Sequence, residues 1–251
     1  MSRPKFSTIL RETKQQKFTF TFIKLKTTKM KKSNLNILII MLITLGVSSC
    51  KDAVKESETS APKQTLAPTQ KAVAYNVKND LSTITWLGSK PVGTHTGTIN
   101  VKDGAFYLQG TTIESGKFLI DMNTITVTDL DQNSGKESLE SHLKGTVEDK
   151  EGDFFNVLKY PTATFVVTGV KDEAGKTMMS GNLTMLAISQ NISFPVQITN
   201  QDNMVQVKSE TFTIDRTKWG INYGSKSIFD NLGDKFIDDD MEITIDVTAV
   251  M

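Results

Sequence analysis

The chain has 251 residues, 38% hydrophobic and 23% charged, which excludes a disordered or collagen-like protein and fits one sizeable folded domain with extra sequence at an end. Its single cysteine, Cys50, excludes a disulfide framework, a four-thiolate zinc site and an iron–sulfur cluster held by the chain's own thiols. The formal charge of +1 divides unevenly: residues 1–50 carry ten Lys and Arg against one acid, residues 51–251 nineteen against twenty-seven, and so acidic a body is a poor partner for nucleic acid.

Residues 1–29 are basic, with Phe18, Phe20 and Phe22 alternating with threonines, and are expected to be a disordered extension or to precede a true start at Met30. Residues 30–49 read as a signal peptide. Lys31-Lys32 is followed by an apolar run from Ile37 to Val47, 11 residues long, well short of the roughly 20 that a helix needs to cross a bilayer. Small residues, Val47-Ser48-Ser49, stand directly before Cys50. This arrangement resembles the lipobox of bacterial lipoproteins, in which the thiol is acylated and the chain is cut so that the cysteine becomes the first residue. The competing reading is a buried free thiol behaving as a small hydrophobe. Residues 50–72 are expected to be the lipid-attached cysteine and a flexible linker, since Lys51 to Lys71 is rich in Ser, Thr, Ala, Pro, Gln and charges.

From residue 73 to 251 the pattern is that of antiparallel strands. Ile84 with Trp86, Gly97 with Ile99 and Val101, and Gly116 with Phe118, Ile120 and Met122 alternate with polar residues. So do Ala163 with Phe165 and Val167, Leu183 with Met185 and Ala187, Ile192 with Phe194, Val196 and Ile198, and Phe212 with Ile214. The last segment places Met241, Ile243, Ile245, Val247 and Ala249 on one face. Turns are expected at Lys102-Asp103-Gly104, Asp172-Glu173-Ala174-Gly175 and Asn200-Gln201-Asp202-Asn203, with one helical excursion from Ser134 to Thr146. The predicted fold is all-β, an antiparallel up-and-down barrel of about eight strands with one short helix; a two-sheet sandwich fits the pattern as its rival.

Several motifs coincide with a known family. Asp153-Phe154-Phe155-Asn156-Val157-Leu158-Lys159-Tyr160-Pro161, leading into Ala163-Thr164-Phe165, resembles the DFF-x-V-x-KYP-x-x-x-F signature of the YceI-like family. Gly181-Asn182-Leu183-Thr184 and Asp215-Arg216 followed by Trp219-Gly220-Ile221 resemble its G-x-LT and R-x-x-WG-I elements. Near the start, Asp80-Leu81-Ser82 departs from the commonest version, and Trp86 to Pro91 with Gly93 to Gly97 look like a subgroup. The resemblance implies a lipocalin-like barrel whose apolar tunnel holds a long isoprenoid or lipid tail.

Thirteen Phe and ten Met could line such a lumen. The candidates are Ile84, Trp86, Ile99, Phe118, Ile120, Phe165, Leu183, Met185, Phe194, Val196, Phe212 and Ile214, against the alternative that these side chains pack on one another as a solid core. Lys90, His95 and His142 are the polar candidates for the mouth. The two histidines, if brought together with Asp121 or Asp129, would suit a metal or acid–base pair; hydrogen-bonded structural histidines are the favoured reading. Asp238-Asp239-Asp240 lacks the alternating spacing of a calcium loop and reads as a solvated turn. No G-x-S-x-G, H-E-x-x-H or phosphate loop occurs, so neither catalytic residues, cofactor nor metal is expected. The expected protein is a non-enzymatic, cell-envelope lipoprotein facing the periplasm or cell exterior. Its expected partners are a long-chain apolar ligand and, through the anchor, the membrane, with a homodimer left open. The rival reading is an envelope interaction or stress-protection module with a filled barrel.

Overall fold

The computed structural model describes residues 55–251; the leader and Cys50 lie outside the described residues. The elements in chain order are β1 (Lys55–Glu56), β2 (Glu58–Ser60), β3 (Val73–Val77), β4 (Thr83–Lys90), β5 (Gly93–Gln109) and β6 (Thr112–Val127). There follow α1 (Lys136–Lys144), β7 (Thr162–Glu173), β8 (Lys176–Met185), β9 (Ile188–Gln201), β10 (Met204–Ser209), β11 (Phe212–Asp215) and β12 (Asp240–Val250). Each strand from β5 to β9 pairs with the next, β10 and β11 both pair with β12, and β12 returns to β3 and β4, which pair with β5. Because β3 with β4, and β10 with β11, each occupy one place, the ring has eight positions and closes. The all-β barrel is therefore present, and the sandwich is not.

Three hairpins close one end of the barrel with tight turns. Ala174 and Gly175, like Asp202 and Asn203, have positive φ angles of 49° and 80°, and 49° and 63°, the backbone twist that suits two-residue hairpins. Lys102-Asp103-Gly104 is not the expected turn. It lies inside the long strand β5, where the pairing with β6 shifts register between Val101 and Asp103, a bulge that bends the strand around the barrel. Ala187, expected in a strand, sits instead in the turn between β8 and β9, at φ 64° beside Leu186 at 48°. The helix is shorter than the Ser134 to Thr146 expectation, because Gly135 and Gly145, both in the left-handed region, bound it.

The linker expectation is corrected for its described part. Past Pro195, β9 and the chain beyond β10 diverge, which leaves the facing edges of β9 and β11 without each other as partners. Residues 55–60 fill that seam: β1 pairs parallel with β11, Ser57 N donates to Thr213 O at 2.9 Å, and β2 pairs antiparallel with β9. Farther along, Lys63 N donates to Asn182 Oδ1 at 3.0 Å while Asn182 Nδ2 donates to Lys63 O at 2.7 Å, and Thr69 N donates to Glu114 Oε2 at 2.9 Å. The docking is made through backbone groups that an unpaired sheet edge must satisfy. It needs no large apolar side chain, so the composition gave no sign of it.

Candidate functional site

One end of the barrel, where β4 ends and β12 begins, is open; the other, with the hairpins, is closed and packed. Tyr75, Phe106, Leu108, Ile113, Val205, Val207 and Ala249 fill the closed end. The open half holds an apolar cavity of about 200 Å³. It forms because the inward positions of eight strands meet there, with Leu139 and Leu143 of α1 and Phe154 and Phe155 of the following loop completing the wall.

Ten of the twelve predicted lumen residues line the cavity: Ile84, Trp86, Ile99, Ile120, Phe165, Leu183, Met185, Phe194, Phe212 and Ile214. Phe118 and Val196 do not. Both are buried, but Phe118 packs on Phe106 with ring centroids 4.6 Å apart, and Val196 sits opposite Ser209 where β9 and β10 are paired. Alternation gives the correct face for both and says nothing about height in the barrel, which is what separates hollow from packed. The filled-core alternative thus describes the closed half only.

Close packing around two glycines shapes the wall. A Cβ on Gly181 would lie 2.2 Å from the Phe165 ring, and one on Gly97 would lie 2.5 Å from the Trp86 indole. Phe165 and Phe194 sit with ring centroids 5.7 Å apart, and Phe194 stacks on Phe212 at 4.3 Å. The three rings form a continuous aromatic wall.

At the mouth, Lys90 and His95 line the cavity and His142 does not. His95 Nδ1 lies 2.9 Å from Asp129 Oδ2, and Thr96 N donates to the other carboxylate oxygen at 3.0 Å. Burial pushes the Asp129 carboxyl up, but the hydrogen bonds from His95 and Thr96 outweigh it and hold the group below the usual carboxylate range. His142, on the flank of α1, pairs through Nε2 with Asp153 Oδ2 at 2.7 Å and packs edge-on against Phe154 and Tyr223. It latches the helix to the loop before β12 and stands outside the cavity, a correction to its placement at the mouth. The histidines therefore serve separate carboxylates, and Asp121 bonds to Asn123 instead. Among the described residues, no group of three or more His, Cys, Asp or Glu is placed to hold a metal.

Arg216, quoted above only as part of a motif, is the main polar element missed by the sequence reading. It is 2% exposed and lines the cavity near its mouth. Its guanidinium donates to Ile221 O at 2.8 Å, Ile237 O at 3.0 Å and Asp238 O at 3.1 Å, with Asp239 at 3.6 Å. Burial draws its pKa down, opposed by Asp239, Asp215 and Asp238. The side chain ties both ends of the 220–239 loop to the barrel rim. Asp238 N, donating to Ser89 O at 2.9 Å, joins that loop to the end of β4. The aspartate run is thus a held turn of the rim.

An eight-position antiparallel ring, packed at one end and hollow and apolar at the other, defines a lipocalin-like barrel. The model of the YceI-like domain matches residues 75–249, and the chain belongs to that family. It is 31% identical over 107 residues to a UPF0312 protein of Pseudomonas paraeruginosa, covering 43% of this chain and 50% of that protein. It is 29% identical over 105 residues to protein YceI of Salmonella arizonae, covering 42% and 49%. The matched stretch thus spans about half the length of these curated relatives. Among solved structures, the chain is similar to Burkholderia cenocepacia BcnA, with a TM-score of 0.51, 18% identity, and coverage of 69% of this chain and 99% of that one. That likeness shows the fold.

Proposed function

We propose that the protein is a cell-envelope lipoprotein, tethered through acylated Cys50, that binds or carries a lipid or isoprenoid-type molecule in the open half of its barrel. The observation that carries this reading is the apolar cavity of about 200 Å³ at the open end. Such a cavity exceeds the roughly 150 Å³ that accepts benzene and falls below the roughly 300–1,000 Å³ of pockets for drug-sized ligands. It therefore admits the leading part of a hydrocarbon tail, each buried methylene contributing about 0.8 kcal/mol. Met122, Met185 and Met241 in the wall are flexible enough to yield to more of it. The reading is binding without catalysis, with His95 held by Asp129 and Arg216 by the carbonyls of the rim loop. Family resemblance supports an isoprenoid tail, and the residues before Cys50 support the anchor.

Two measurements test the parts separately. Organic extraction of the purified chain followed by mass spectrometry is expected to yield one stoichiometric apolar molecule; an empty, folded barrel that also refuses isoprenoids would refute the carrier. Cys50→Ala is expected to release the chain from the membrane fraction without unfolding the barrel. Retention of that variant in the membrane would refute the anchor.

A further inference from the structure

We propose that the open rim of the barrel rests on the lipid bilayer, so that the cavity mouth faces the membrane surface directly. The inference rests on the reading of Cys50 as the anchor, and two independent features carry it further. The first is reach. A linker free from Cys50 to Val73 spans 23 residue steps, enough to hold the barrel about 80 Å away. Because residues 55 and 56 are paired with β11, only five steps separate Cys50 from Lys55, at most about 18 Å of extended chain. Lys55 lies opposite Phe212, three residues below Asp215 at the rim, which is about 10 Å along the strand. A lipid on Cys50 thus keeps the barrel against the bilayer, and the rim is within reach of its surface.

The second feature selects the end. The rim carries Val92, Leu158, Ile188, Tyr223, Ile228 and Phe229 as exposed large apolar side chains, with Val92 and Leu158 the most exposed of the described chain at 76% and 75%. They come from four separate segments that meet only at this end: the β4–β5 turn, the loop before β7, the start of β9 and the loop before β12. Lys159 follows Leu158, and Lys90 and Lys226 stand two residues before Val92 and Ile228, Lys226 within 3.4 Å of Asp238, a grouping of apolar tip and long cation that suits a headgroup boundary. The closed end exposes Val73, Met204 and the terminal Met251, none of them aromatic, while Leu81 stands partway along the wall in the β3–β4 connection, beside Asn79, which donates to Lys102 O, and Leu66 lies on the segment between Lys63 and Thr69. Asp230 and Asp234 share the rim loop with Phe229, so contact is driven by the apolar side chains and holds when salt is raised.

The test uses the full acylated chain reconstituted into vesicles of phosphatidylethanolamine and phosphatidylglycerol. An environment-sensitive thiol probe is placed at Val92→Cys or Phe229→Cys on the rim, or at Val73→Cys or Met204→Cys on the closed end. Rim probes are expected to shift to the blue and to be quenched by lipids brominated on their acyl chains, while closed-end probes do neither. Val92→Ser combined with Phe229→Ser, both on exposed positions, is expected to abolish quenching of a probe at Leu158→Cys while the protein still floats with the vesicles. Equal, unquenched signals from all four positions in protein that floats would overturn the docking and leave the anchor standing. Protein that does not float at all would remove the anchor and this inference with it. A rim shift that grows with protein concentration in the absence of vesicles would assign the surface to a second copy of the chain, also overturning the proposal.

Discussion

Ala163→Phe separates a cavity that holds ligand from one that does not. Ala163 lies on β7 opposite Ile120, is 2% exposed, and both side chains face the cavity. A phenyl group has the size of benzene, which a cavity of about 150 Å³ accepts, so the substitution fills most of the 200 Å³ available. A tail excluded by one five-carbon isoprene unit loses about 4 kcal/mol at about 0.8 kcal/mol per carbon, or about a thousandfold in Kd. Overpacking a dense core costs about 1–3 kcal/mol. Here the ring enters open space, so the thermal midpoint is expected to move little. Trp86, in the cavity wall, reports a titration with an isoprenoid alcohol by its fluorescence. An unchanged Kd in a variant with unchanged thermal unfolding would refute the reasoning, because the tail would then lie elsewhere.

Other substitutions test the frame around the cavity. Arg216→Met leaves three carbonyls without their donor, at about 1–3 kcal/mol for each that stays buried; thermal unfolding should show a loss of several kcal/mol, and a loss below 1 kcal/mol would refute the clamp. Gly181→Ala drives a Cβ to within 2.2 Å of the Phe165 ring and should destabilise by about 1–3 kcal/mol while weakening ligand uptake; a neutral result in both readouts would show that the wall yields freely. Burial, and then Glu56, Asp215, Asp239 and Asp238, raise the pKa of Asp240. Its neutral form therefore favours the fold below the unfolded value of about 3.9, and that contribution is lost as pH rises through the higher folded value. Asp240→Asn should raise the thermal midpoint near pH 7 and change it little below about pH 4, and a midpoint lowered at neutral pH would reverse the sign. Because Glu56 lies in the seam segment, amide exchange of residues 55–57 should slow in the same variant.

Most of the barrel was legible because alternation is set by the strand's two-residue period, which fixes the inward face wherever one side is buried. Ten lumen residues follow from that parity and from family resemblance. Phe118 and Val196 show where parity ends: an inward side chain meets either cavity or packed core according to its height, and height depends on register with strands far away in sequence. Lys102-Asp103-Gly104 looked like a turn because its composition is that of one, yet a bulge uses the same residues to bend a strand that continues. His142 misled for a different reason. A histidine in a family-like stretch carries no mark of which helix flank it occupies, and its partners Asp153 and Tyr223 come from separate loops. The seam segment was invisible because its attachment is made by backbone groups, and Arg216 was visible only as a letter in a motif, since its acceptors are carbonyls at residues 221, 237 and 238.

The division of the barrel into two halves bears on how such a protein empties. A void of about 200 Å³ costs about 5 kcal/mol relative to a filled core at about 24 cal/mol per Å³, comparable to the whole stability of a small domain at the low end of its range of about 5–15 kcal/mol. A barrel hollow along its full length would depend on its cargo to stay folded. Here Phe106, Leu108, Val205, Val207 and their neighbours close one end as ordinary core, and Trp219, wholly buried, donates from Nε1 to Leu183 O at 3.0 Å to pin the rim to the wall. The packed half and the pinned rim hold the ring while the open half is empty, so that burying a tail adds stability to a fold that already stands. Under the proposed carrier role, cargo binding shifts the thermal midpoint by mass action, and release leaves a barrel ready to load again.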